Sequence, residues 1–120
     1  VLPSDLFLPE PDARDVLATI ISVDDHLVEP PDMFEGRLPA HLQARAPRIV
    51  VDRRGHEVWE FDGQRHSQVG MNAVVGRRPE TVQVEPFRFD QMRRGCWDVD
   101  SRVHDMDLNG VWASLSFPSM

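Results

Sequence analysis

The chain has 120 residues, and its 13 Lys and Arg stand against 20 Asp and Glu, a formal net charge of −7. That balance argues against a nucleic-acid or anionic-membrane partner, since both are held by clustered cations, and no apolar run approaches the roughly 18 residues of a membrane helix. The 41% of hydrophobic residues is enough for a core, and the single cysteine, Cys96, lacks an internal partner, which fits a reduced, cytoplasmic setting.

Residues 1–11 read as an extended arm. Val1 to Asp15 is acidic and broken by Pro3, Pro9 and Pro11, unlike a signal or transit peptide. Leu2, Leu6, Phe7 and Leu8 are apolar enough to pack on the rest of the chain. Pro11 and Asp12 suit a helix start, so one or two helical turns are expected over 12–18. A first strand is expected at about 19–24, where Thr19-Ile20-Ile21-Ser22-Val23 shows little alternation and so reads as buried on both faces, the pattern of a parallel sheet.

A helical turn is expected at 32–34, and a short helix at 38–44 between Pro39 and Pro47. Ile49-Val50-Val51, Glu57 to Phe61 and Arg65 to Val69 read as strands, separated by Arg54-Gly55 and Asp62-Gly63. Asp-Gly is a tight-hairpin signal, so residues 48–69 are expected to form an antiparallel meander. Residues 70–96 read as loop, with Arg77, Arg78, Arg93 and Arg94 solvated or, in a functional reading, clamping a substrate carboxylate.

Asp98 is a good N-cap for a helix over 99–109, with Val99, Val103 and Met106 on one face and Gly110 as its C′ residue. A second strand follows at 111–117. The order is strand, long excursion, helix, strand, which suits a parallel pair. The excursion, residues 27–97, is far longer than the usual loop of about 2–6 residues. Long structured loops after barrel strands tend to build active sites.

Asp24 and His26 are two apart on a strand, so they share a face at its C-terminal tip, where α/β folds place ligands. An oxygen and a nitrogen donor suit Zn²⁺, Mn²⁺ or Fe²⁺. The plainer alternative is a strand whose polar end meets solvent. Asp25 points the other way, as a supporting or loop-capping residue.

The stretch Val23-Asp24-Asp25-His26-Leu27-Val28-Glu29-Pro30-Pro31-Asp32-Met33-Phe34, followed by Arg37-Leu38-Pro39, resembles the opening of the amidohydrolase-related proteins. More narrowly, it is similar to the group related to aminocarboxymuconate-semialdehyde decarboxylase. Trp97 to Val111 resembles that group's first barrel helix and second strand. The resemblance covers about residues 19–120 and implies an α/β chain forming the N-terminal part of a metal-dependent (β/α)₈ TIM-type barrel, here with an inserted antiparallel meander.

The family's His-x-His at the end of strand one binds a divalent metal. Here Asp24-x-His26 stands in its place, a harder and more anionic pair that leaves Zn, Mn and Fe open as the one metal. The resemblance places the third ligand, the catalytic His and a late-strand Asp beyond Met120. The 120 residues are therefore expected to hold two strands and one helix of eight and to be catalytically incomplete alone.

Glu29 either supports the ligands or contacts substrate, or else packs its loop. His41 reads as a surface or packing residue, His56 and His66 as exposed residues of the meander, and His104 as a partner of Asp100 and Asp107 on its own helix. Cys96 beside Trp97 reads as a packed thiol. Trp59, Phe61, Phe87 and Phe89 either pack the meander or line an aromatic pocket. The reading that results is a cytoplasmic, homo-oligomeric, metal-dependent hydrolase or non-oxidative decarboxylase of a small carboxylate- or ring-bearing substrate. The alternative is a non-catalytic piece whose 48–95 excursion mediates oligomer contacts.

Overall fold

The computed structural model describes residues 5–67, 69–70, 72–82 and 86–118. Two sheets are formed, one parallel and one antiparallel, so the chain is mixed α/β. The antiparallel sheet is the expected meander of β2 (Arg48–Val51), β3 (Glu57–Phe61) and β4 (Gln64–His66), with β3 in the centre. Its register pairs Val50 with Val58 and Trp59 with His66. Asp62 and Gly63 both take positive φ, 49° and 77°, in the two-residue turn whose twist matches that of the strands it joins. The wider β2–β3 turn is closed by Asp52, whose carboxylate accepts from the amides of Arg54 and His56 at 2.8 and 2.9 Å. The third strand ends at His66 instead of running to 69; Gln68 lies outside the described residues, and Val69 has already turned into the core.

The core is built within the excursion, between β3 and the segments on either side of the meander. Val28, Trp59, Val69, Phe89, Met92 and Cys96 form one buried cluster, with Phe34, Ile49, Ala73 and Trp97 packed against it. Edge-to-face pairs organise it, Phe34 on Trp59 at 5.9 Å and Phe89 on Trp97 at 5.5 Å. Such pairs add to the burial of the rings themselves. The described residues from 70 to 96 are loop-like as expected, with 3₁₀ turns at Pro79–Thr81, Phe89–Gln91 and Arg94–Cys96, yet they supply half of the buried cluster. A further short helix, α1 (Ala40–Gln43), follows Pro39.

The helix α2 (Val99–Asn109) has both predicted caps. The Asp98 carboxylate accepts from the Ser101 amide and hydroxyl at 3.0 and 2.5 Å. At the other end Gly110 takes φ 68°, where a side chain would be strained. The chain then enters β5 (Val111–Pro118), which pairs in parallel with β1 (Ile20–Leu27). Ser22 pairs with Ser114, and Asp25 with Ser116, so β1 carries an extra residue between those two pairs. This is a bulge, a device that bends a strand and re-aims its side chains.

Four expectations are corrected. First, β1 does not stop at 24. Asp25, His26 and Leu27 continue the ladder opposite Ser116, Phe117 and Pro118. Second, β1 is not buried on both faces: Val23 is 68% exposed and Trp112 on β5 is 75% exposed. A two-stranded sheet with one helix on it does not have enough partners to cover both faces, and Val99 and Val103 of α2 are exposed for the same reason.

Third, residues 12–18 form no helix. So short a segment cannot offset helix nucleation without a packed face, and it has no regular structure, with the Arg14 amide donating to the Leu108 carbonyl at 2.9 Å. Fourth, the paired arginines are not all solvated. Arg77 is only 5% exposed, and Arg93 is largely buried in an ion pair with Asp105. No described helix is long and apolar enough to cross a membrane.

Candidate metal centre

The expected donor pair is brought together. On the distal part of β1, with Asp24 inside the bulge and His26 just beyond it, His26 Nε2 stands 3.6 Å from Asp24 Oδ1, and the two side chains are 64% and 83% exposed. That separation is beyond a hydrogen bond. It is close to the spacing of about 3.3 Å between two donors bound to one tetrahedral ion at 2.0–2.1 Å. An O,N pair held apart, facing one another and open to solvent fits two positions of a divalent site. The His26 ring leans on Phe117 of β5, 6.1 Å between centroids, which fixes one side of the imidazole.

Asp25 takes the opposite side, as expected, and is anchored there. Its carboxylate accepts from the Ser114 hydroxyl of β5 and lies 3.2 Å from the Arg102 guanidinium of α2. The Ser114 hydrogen bond, helped by Ser22 and Arg102, holds the Asp25 carboxyl below the usual range despite its burial. One residue thus ties β1 to both β5 and α2, directly between the two donors in sequence. Neither Ser114 nor Arg102 carried a local pattern that marks it. Both are linked to Asp25 only through the parallel pairing.

One recess adjoins His26, and a second lies beyond Phe117. His26 lines one of about 250 Å³ with Val28, Asn72, Val75, Cys96 and Arg102. Glu29 lines an apolar one of about 210 Å³ with Met33, Trp97, Val99, Phe117 and Pro118. Glu29 is therefore on the wall of a recess that shares Phe117 with the donor pair. Among the described residues, no cluster of three or more His, Cys, Asp or Glu could hold a metal ion, so the pair is not completed within them.

The remaining candidates fall elsewhere. His41 on α1 and His66 on β4 are exposed. His56 is partly buried, not a surface residue, and its ring stacks on Phe87 at 4.1 Å. His104 pairs with Glu10 of the arm, Nε2 to Oε1 at 2.6 Å, a partner too distant in sequence for helix spacing to reveal. Arg93 is not available as a substrate clamp, because Asp105 takes its Nε and Nη2 at 2.8 and 2.6 Å. Arg94 lies over the Trp97 ring, 5.6 Å from its centre. Cys96 is buried, and burial pushes its thiol pKa up, the opposite of an activated nucleophile. Trp59 and Phe89 pack in the core, whereas Phe61 is exposed.

Compared with known proteins, the chain matches no family profile and no curated sequence.

Proposed function

We propose that Asp24 and His26 are two ligands of a divalent metal in a hydrolase or non-oxidative decarboxylase, and that β1, α2 and β5 are the opening elements of a (β/α)₈ barrel. The observation that carries this reading is the facing of the two donors at 3.6 Å on the distal part of a parallel strand. The parallel β1–β5 pair and the resemblance of the Val23–Phe34 and Trp97–Val111 stretches to the amidohydrolase-related proteins support it. Zn, Mn and Fe remain the candidates, and two donors make half a site, so the proposal includes further ligands from outside the described residues. When bound, such an ion polarises a substrate oxygen or acidifies a bound water.

The chain's own part is positional. The bulge and the Asp25 anchor hold the donors in register, Phe117 braces the imidazole, and the recess walled by Met33, Trp97 and Phe117 accepts an apolar portion of a substrate. Glu29, on the same wall, is placed to contact that substrate. The reading includes a cytoplasmic location and a homo-oligomer.

Metal titration of the protein, wild type against Asp24→Ala and His26→Ala, tests it. The expected outcome is a loss of at least about tenfold in affinity for Zn²⁺ or Mn²⁺ in each variant, the scale on which metal sites respond to altered surroundings. Unchanged affinity in both variants overturns the assignment.

A second reading rests on the exposed apolar residues of the excursion, Val51, Phe61, Val75 and Val82. In that reading the 48–95 segment is an oligomer contact in a non-catalytic protein. Sedimentation of a Val51→Asp, Phe61→Asp variant separates the two: a monomer that still binds metal favours the enzyme, and a monomer from a parent without metal favours the interaction piece.

A further inference from the structure

On Asp25's side of the sheet, a cavity of about 510 Å³ lies between β1, α2 and the loop that precedes α2. Asp25, Cys96, Arg102 and Asp105 line it from within the fold, and Leu8, Pro9 and Pro11 line it from the N-terminal arm. The arm is held sparsely. Residues 8–17 form neither helix nor strand, and every one of them is exposed. Its described ties to backbone groups are the Phe7–Arg77 bridge, the Arg78 amide and the Thr81 hydroxyl to the Leu6 carbonyl at 2.9 and 3.0 Å, the Leu8 amide to the Gly76 carbonyl at 2.9 Å, and, only after a gap of five residues, the Arg14 amide to the Leu108 carbonyl at 2.9 Å.

Between the last two ties sits Glu10. Its Oε1 meets His104 Nε2 at 2.6 Å, and its Oε2 lies 3.5 Å from Arg93 Nη2, the same guanidinium that grips Asp105. The His104 hydrogen bond holds the Glu10 carboxyl below its usual range. Glu10 is thus the one described side chain of the stretch 8–14 that reaches α2 and its preceding loop by an ion pair, and it does so where two backbone bonds leave a span between them. Exposed ion pairs are weak, and segments with few buried contacts open first.

We propose that residues 8–14 are a releasable strap over this cavity, latched by Glu10 onto His104 and Arg93, and that unlatching admits small solutes to Cys96 and to the Asp25–Arg102 pair. The proposal stands on the arm and the cavity and does not require a metal at Asp24 and His26.

The sole cysteine is the reporter. The rate at which iodoacetamide alkylates Cys96 is measured in the wild type, Glu10→Gln and His104→Ala, with amide exchange measured alongside. The expected result is a rate rise of about fivefold or more in Glu10→Gln, and a smaller rise in His104→Ala, which leaves the Arg93 contact, with reaction limited by local opening. The Leu8 and Arg14 amides exchange faster, while those of Val28 and Met92, bonded within the core, are unchanged. Unaltered alkylation in both variants overturns the latch, because the reagent then enters by the recess beside His26. Acceleration of the Val28 and Met92 amides together with the arm also overturns it, since that is general loosening.

Discussion

Asp25 on β1 and Arg102 on α2 meet at 3.2 Å on the covered side of the parallel sheet, while the neighbouring Asp24 faces His26 on the open side. Adjacent carboxylates therefore have opposite tasks, one anchoring the strand and one left accessible. The Arg102 Nε is buried with no hydrogen-bond partner among the described residues, so the Asp25 contact is its guanidinium's main compensation.

Asp25→Asn is expected to destabilise the protein by about 1–3 kcal/mol near neutral pH, the range for removing a charged hydrogen-bond partner. The folded-state pKa lies below the ordinary 3.8, so the unfolded chain binds the proton more readily. The stabilisation is fully present above about pH 4–5 and is lost as pH falls through the folded value. Denaturant melts followed by circular dichroism should show a gap between wild type and Asp25→Asn that closes below pH 3.8. A gap that persists unchanged in acid contradicts this account.

Asp24→Ala and His26→Ala are expected to change stability by no more than about 0.5 kcal/mol in the absence of metal, as surface substitutions away from packed features do. Both side chains are mostly exposed, and their contact is longer than a hydrogen bond. Thermal melts in chelator check this. A large loss in either variant assigns the pair to fold stability instead of ligand binding.

Trp59→Ala is expected to cost about 3–5 kcal/mol, the range for emptying a buried indole site. Trp59 is 3% exposed, at the centre of the meander, against Phe34. Urea unfolding monitored by far-UV signal reads the loss; a cost under 1 kcal/mol indicates that the cluster collapses around the gap.

Gly95→Ala is expected to destabilise by about 1–3 kcal/mol through overpacking. A Cβ there would run into the Asp105 carboxylate and press on the Ser101 carbonyl of α2, and Arg93 already fixes that carboxylate with two hydrogen bonds. The same thermal melts measure it, and Asp105→Ala in the Gly95→Ala background should recover part of the steric loss.

Much of the local structure was legible because its causes are local. Asp98 and Gly110 bound α2, Asp62-Gly63 turns the meander, and Asp24 and His26 share a strand face; each follows from backbone geometry within a few residues. What was missed depends on distant partners. The burial of Arg77, the Glu10–His104 pair, and the Asp25–Ser114–Arg102 network join segments that no short-range spacing relates. The exposure of β1 was missed because apolar composition reports how much cover a strand calls for, not how much the surrounding chain supplies. The helix expected at 12–18 failed because propensity without a packed face does not hold so short a segment.

The parallel ladder joins Ile20 to Val111, so it closes around the entire excursion, whereas the meander closes through two tight turns. Ring closure over so many residues costs more chain entropy than a hairpin does, and low-contact-order units assemble first. The meander is then the early folding unit. The β1–β5 pairing, and with it the Asp25 anchor that sits between Asp24 and His26, is then expected to form after the meander.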